Sequence, residues 1–188
     1  MPPPETIYEV FEPTNDMRET QASQIYRPYY VLLNYLFPTE EGYTVFPQYK
    51  IPAQSMSVDF KNFYTVRHKT RYDMLFFLQV KSSEDLSHIS SRQEADLQMR
   101  EKYKRLFEFV QVKIGWLYGA CAMGTKISIY KLDMRSWQLF PFAIPSGPEL
   151  VTDTAPVDRW NIDLLTQEGQ GQLRKIVQHI KEMSTQIG

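Results

Sequence analysis

The sequence predicts one α+β domain with a sandwich-like arrangement of helices on a sheet, and three observations predict it. Apolar residues recur at spacings of three and four in two long stretches, about 16–37 and 91–110, and again near the C-terminus. Short runs rich in β-branched and aromatic residues lie between and after them. The 188 residues, 43% hydrophobic and 14% aromatic, supply one real core and little more. Residues 1–13, Pro-rich and acidic, read as an N-terminal arm. Residues 14–188 read as the single domain, with a core of about 15–132 and a C-terminal extension of 133–188.

The first helix is expected over 16–37. Thr14, Asn15 and Asp16 are good N-cap types, and Ile25, Tyr29, Leu32, Leu33 and Leu36 form its apolar stripe. Pro28 either kinks this helix or opens a second one. Three strands follow: 43–51, with Pro47 marking an edge or a bulge; 57–66; and 74–80, whose continuous apolar run suits burial on both faces. The basic stretch Arg67-His68-Lys69-Thr70-Arg71 reads as the turn between the last two. Ser91 and Glu94 fit a capping box, and the helix after them turns Ala95, Met99, Tyr103, Leu106, Phe107 and Val110 to one side. Strands are expected at 115–122 and 126–132, joined through Met123-Gly124-Thr125 as a tight hairpin, with another at 137–144. A last helix is expected over 171–183.

A formal net charge of −1 gives no global basic field. One cysteine, Cys121, forms no disulfide within the chain and no Cys-rich zinc site; in its apolar stretch it reads as a small buried hydrophobe. The N-terminus shows neither the basic nor the apolar region of a secretory leader, and no apolar run approaches the ~20 residues of a membrane span. The expectation is an intracellular protein, nuclear or cytoplasmic, with no membrane partner. Neither a Gly-x-Ser-x-Gly stretch nor a phosphate-binding Gly-rich loop is present.

The chemistry-bearing residues lie on the second and third strands. Ser57-Val58-Asp59-Phe60 carries a carboxylate, and Leu78-Gln79-Val80-Lys81 carries an amide and an ammonium two residues apart, on one strand face. If the turn is centred on Lys69, Asp59 stands opposite Gln79. With the order α-β-β-β-α-β, this pattern resembles the restriction-endonuclease-like core of the PD-(D/E)XK nuclease superfamily. The Q-x-K form is closest to its Mrr-like members. The resemblance covers about residues 15–132, and the extension adds further strands and a helix.

The resemblance implies a metal-dependent nuclease that hydrolyses phosphodiester bonds in DNA, with Asp59, Gln79 and Lys81 as the catalytic centre. Mg²⁺, or Mn²⁺, would be held by Asp59, the Gln79 amide oxygen, the Val80 carbonyl and a first-helix acid, for which Glu19 is best placed. Lys81 would orient the attacking water and offset charge in the transition state. Gln at position 79 removes one negative charge relative to an E-x-K site and should lower metal affinity. Arg67, His68, Lys69, Arg71, Gln98 and Lys102 are the candidate nucleic-acid contacts. DNA is the first expected partner; RNA, a second copy of the chain or a protein are the others. The rival implication is a nuclease-like scaffold without hydrolysis that binds protein or nucleic acid.

Overall fold

The structure, a computed structural model, describes residues 9–11, 21–48, 63–68, 74–109, 114–147 and 152–185. In chain order the elements are α1 (Gln21–Leu36), β1 (Tyr43–Gln48), β2 (Phe63–His68), β3 (Met74–Lys81), α2 (Ile89–Phe109), β4 (Trp116–Met123), β5 (Lys126–Asp133), β6 (Leu139–Phe140), β7 (Ile162–Asp163) and α3 (Gln167–Thr185). The strands form one mixed sheet in the order β1-β2-β3-β4-β5-β6, with β7 also pairing with β5. Among the described residues, only β3 and β4 pair in parallel. Two parallel neighbours need a crossover, and α2 supplies it. The fold is the expected α+β sandwich.

Strand alternation gives the sheet two apolar faces. On one, Phe76, Leu78 and Ala120 meet Leu32 and Leu36 of α1 and Leu173 and Val177 of α3. On the other, Phe77 packs edge-on against Tyr103 of α2, with ring centroids 4.8 Å apart. The Tyr103 hydroxyl is shared between the backbone carbonyls of Leu117 and Tyr130, at 3.3 and 3.1 Å. A Cβ on Gly119 would lie 2.6 Å from the Phe77 ring and 2.8 Å from the Tyr103 hydroxyl, so the absence of a side chain there lets α2 close on the sheet. β3 is buried along both faces from Met74 to Val80, as its unbroken apolar run predicts.

α1 runs through Pro28 as one helix, so no second helix opens there. Three details differ from expectation. α2 begins at Ile89, and Arg92 N–H already donates to the His88 carbonyl, so Ser91 lies inside the first turn and is not the cap. The capping box belongs instead to the preceding 3₁₀ turn (Ser83–Ser87): Ser82 Oγ accepts from Glu84 N–H at 3.3 Å, and Asp85 accepts from Ser82 N–H at 3.1 Å. The strand expected at 137–144 shrinks to Leu139–Phe140, because Pro141 has no N–H to extend a ladder. β7 is additional. It is locked to α3 by an approach that needs Gly169, where a Cβ would stand 2.1 Å from the Asp163 carbonyl oxygen. At the β4–β5 hairpin, Gly124 adopts a φ of 61°, as a primed two-residue turn requires.

Within the N-terminal arm, Phe11 packs edge-on against Tyr29, at 4.9 Å between ring centroids. Thr14 to Asp16 and Glu19 lie outside the described residues.

Candidate functional site

The site is built where β3 passes under α2. Gln79 and Lys81 lie on the face of β3 that carries Phe77, the face turned to α2. Gln79 is 1% exposed and Lys81, at the strand end, is half-buried. The Val80 side chain points to the opposite face and is fully buried, so only its carbonyl is available as a ligand.

The residue opposite Gln79 on β2 is Phe63, not Asp59. This corrects the expected register by four residues. Arg67 and His68, read as part of a turn, are strand residues of β2, and the register shifts between Val66 and Arg67. They are also not a free basic patch. The Arg67 guanidinium sits 5.8 Å from the centre of the Phe46 ring, and His68 packs edge-on against Tyr43 at 5.2 Å. Asp59, Lys69 and Arg71 lie outside the described residues.

Helix α2 reaches the sheet with three stripes. Ala95, Met99 and Tyr103 enter the core. Arg92, Asp96 and Arg100 form a second stripe toward the C-terminal extension. There Asp96 accepts from Arg100 Nε (2.7 Å), Arg159 Nη1 (2.8 Å) and the Tyr130 hydroxyl (2.8 Å). Arg92 donates to the carbonyls of Leu86 and Ala155 and to the Asp153 carboxylate at 2.6 Å. These charges fasten Pro141, Asp153, Ala155 and Arg159 across the helix.

Glu94, Gln98 and Lys102 form the third stripe, above Gln79 and Phe63. Gln79 Nε2 donates to Gln98 Oε1, and Gln98 Nε2 donates to Glu94 Oε1 at 2.8 Å. Gln79 Oε1 has no hydrogen-bond partner among the described residues, and neither does the hydroxyl of Thr65 on the same sheet face. Lys102 lies 5.2 Å from the centre of the Phe63 ring and is 8% exposed. Burial first, and then the positive charges of Arg105 and Arg67, bring its ammonium down to about 8. The structure thus brings together Gln79, Lys81, Gln98 and Lys102. Phe63 and Glu94 were missed. Glu94 was legible in principle from its spacing of four to Gln98, whereas Phe63 depends on a register that the sequence does not state.

Cys121 pairs with Gln79 across β3 and β4 and is fully buried, and burial pushes its thiol up to about 12. It is a packing residue, not a nucleophile.

Among the described residues no group of three His, Cys, Asp or Glu side chains is gathered as a metal site would need. The chain matches no family model, no curated protein and no solved structure with which it was compared. No helix among the described residues is long and apolar enough to cross a membrane.

Proposed function

We propose that the chain is a nuclease-like domain acting on DNA, with its centre at Gln79 and Lys81. The observation that carries this reading is the bare Gln79 Oε1: a buried amide oxygen without a partner among the described residues, two positions from an ammonium on the same strand face. A buried acceptor left unpaired costs about 1–3 kcal/mol, and such costs concentrate where a ligand will supply the missing partner. Lys102, with its lowered affinity for protons, lies over the ring of Phe63, the residue paired with Gln79, and perturbed groups cluster at functional sites. The element order α-β-β-β-α-β is the one that the resemblance implies.

A hard divalent cation would fit an amide oxygen and a backbone carbonyl only if a carboxylate completes the set. Asp59 and Glu19 are the residues proposed for that. Such a cation would polarise the phosphate and lower the pKa of a bound water. Lys81 would hold the attacking water and balance the charge that builds on phosphorus. Gln98 and Lys102 would bound the cleft on the helix side.

The second reading, a scaffold that binds without cutting, is favoured by one observation. Phe63 occupies the place opposite Gln79 where a carboxylate was expected. Labelled DNA and RNA, incubated with Mg²⁺ or Mn²⁺, separate the two. The proposal expects cleavage by the wild type and none by a folded Lys81→Ala variant. No cleavage by either protein with either metal leaves the scaffold.

A further inference from the structure

We infer that the outer edge of β5 holds a peptide-binding notch, in which Ile129 takes the last three residues of a partner chain as a short added strand and Lys131 takes their terminal carboxylate. The notch lies two strands from Gln79 and does not depend on the reading of that site.

The notch follows from the register. Along a strand, the backbone groups of successive residues point alternately to the two neighbours. Even-numbered residues of this stretch face β4: Met134 N–H donates to the Gly115 carbonyl. Odd-numbered ones face outward: Asp133 N–H donates to the Gln138 carbonyl, and the Thr125 carbonyl accepts from Leu164 N–H, both at 3.0 Å. On that outer side Lys131 pairs with Phe140 of β6, and Ile127 pairs with Ile162 of β7. Ile129, between them, has its N–H and C=O turned outward with no strand residue opposite among the described residues. A longer β6 would bring Phe142 there, and a β7 extended backward would bring Trp160. Neither arrives. The Pro141 and Phe142 carbonyls are held by Arg100 and Arg159, at 2.9 and 2.8 Å, and the Trp160 N–H turns back to the Val157 carbonyl. What remains beside Ile129 is an open cavity of about 560 Å³, a size that suits a small ligand.

Its lining says what fits. Four steps of ~3.3 Å separate Ile127 from Lys131, which leaves room for about three residues before β6 or β7 blocks the way. A long added strand is excluded, whereas a chain end is not. Ile129, Ile162, Ile176 and Phe140 make one wall apolar. At the β6 end, the Lys131 ammonium lies 4.8 Å from the centre of the Trp116 ring and 5.8 Å from that of Phe140, and no carboxylate among the described residues forms an ion pair with it. Asp158 is the one carboxylate in the lining, against Lys131 and Arg159. An anionic chain end therefore belongs at Lys131. A guest so oriented runs parallel to β5, and parallel pairing fixes its bonds. Ile129 N–H donates to the carbonyl of the third residue from the end, and the N–H of the last residue donates to the Ile129 carbonyl. The penultimate side chain then lies beside Ile129 on the α3 side of the sheet, where Ile162 and Ile176 favour an apolar one.

The probe is a pool of N-acetylated tetrapeptides with leucine at the penultimate position and mixed residues elsewhere, prepared as free acids and, separately, as C-terminal amides. Binding is followed by the backbone amide resonance of Ile129 at up to millimolar peptide. The expected result is a shift of that resonance with the acid pool and an apparent affinity about tenfold weaker for the amide pool, the scale of one hydrogen bond to a charged group. Methylating the last peptide nitrogen should abolish binding. Lys131→Met should remove the preference for acids, and Lys131→Arg should keep it. A Lys131→Met chain that did not fold would leave the two wild-type comparisons to decide. An Ile129 resonance unmoved by the acid pool overturns the inference, since the notch would then hold water alone. Equal binding of acids and amides overturns it too, as does a preference for acids that survives in folded Lys131→Met.

Discussion

The two flanks of helix α2 are built from similar residues to opposite ends. On the flank toward the C-terminal extension, Arg92, Asp96 and Arg100 find every partner that they need: carboxylates, carbonyls and the Tyr130 hydroxyl, at 2.6 to 3.1 Å. On the flank toward β2 and β3, Glu94, Gln98 and Lys102 meet an oxygen without a partner among the described residues, and the Lys102 ammonium is brought down to about 8. The first network is closed; the second keeps a buried acceptor without a partner among the described residues. The contrast shows that charge on a helix face is not informative by itself. What distinguishes the flanks is whether the polar atoms are satisfied.

The largest effect expected from breaking this comparison is on the closed flank. Asp96 is buried between two guanidinium groups. Asp96→Ala would leave Arg159, with 9% of its side chain exposed, and Arg100 without their shared carboxylate. Removing one partner of a buried pair costs about 3–5 kcal/mol. Urea denaturation should show a loss of that size. A loss under ~1 kcal/mol would mean that the network behaves like an exposed ion pair and that the two flanks do not differ in kind.

The next effect belongs to Lys102 and carries a pH signature. Its ammonium titrates at about 8 in the folded chain, against 10.5 for a lysine fully in water. The unfolded chain therefore binds more protons between those values, and stability rises with pH across that window. The penalty for burying the charge is fully present below pH 8 and is relieved above 10.5. At about 1.4 kcal/mol per pH unit, the relief is on the order of 3–4 kcal/mol. Buried tyrosines such as Tyr103, held well above their usual range, pull the other way at high pH. The measurement is thus the difference between wild type and Lys102→Met in denaturation from pH 7 to 10. A difference flat with pH would show that Lys102 keeps its charge solvated and that the open flank is less buried than it looks.

These contrasts bear on what could be read from the sequence. Helix α2, the two-sided burial of β3 and the β4–β5 hairpin were legible because each is a local pattern: a period of 3.6, an unbroken apolar run, a glycine where φ must be positive. The register of β2 against β3 was not. It depends on a shift between Val66 and Arg67, and Arg67 and His68, which read as part of a turn, are strand residues packed on Phe46 and Tyr43. The closed flank was illegible for a different reason. Asp96 meets Arg159 across 63 residues of chain, and no periodicity announces a contact of that separation. β7, two residues long, carries no period at all. The pairing of Gln98 with Gln79 combines both cases. Its helical spacing was visible, but the strand residue beneath it was settled only by packing.

The smallest expected effect has the opposite sign and tests the open flank most directly. Gln79→Leu keeps a side chain of similar size on β3. It deletes the amide nitrogen bonded to Gln98 and, with it, the oxygen that has no partner among the described residues. Gln98 is only half-buried, so water can replace the lost donor. Removing an unsatisfied buried acceptor, and adding apolar contact in its place, should therefore leave stability unchanged or raise it by about 1 kcal/mol, while any Mn²⁺ affinity disappears. A group kept at a cost to the fold is being kept for something else, and a stabilised but metal-blind variant would be its signature. A destabilisation of more than ~1 kcal/mol would reverse the conclusion: the Gln79 oxygen would then be bonded in the complete chain, and both flanks of α2 would be structural.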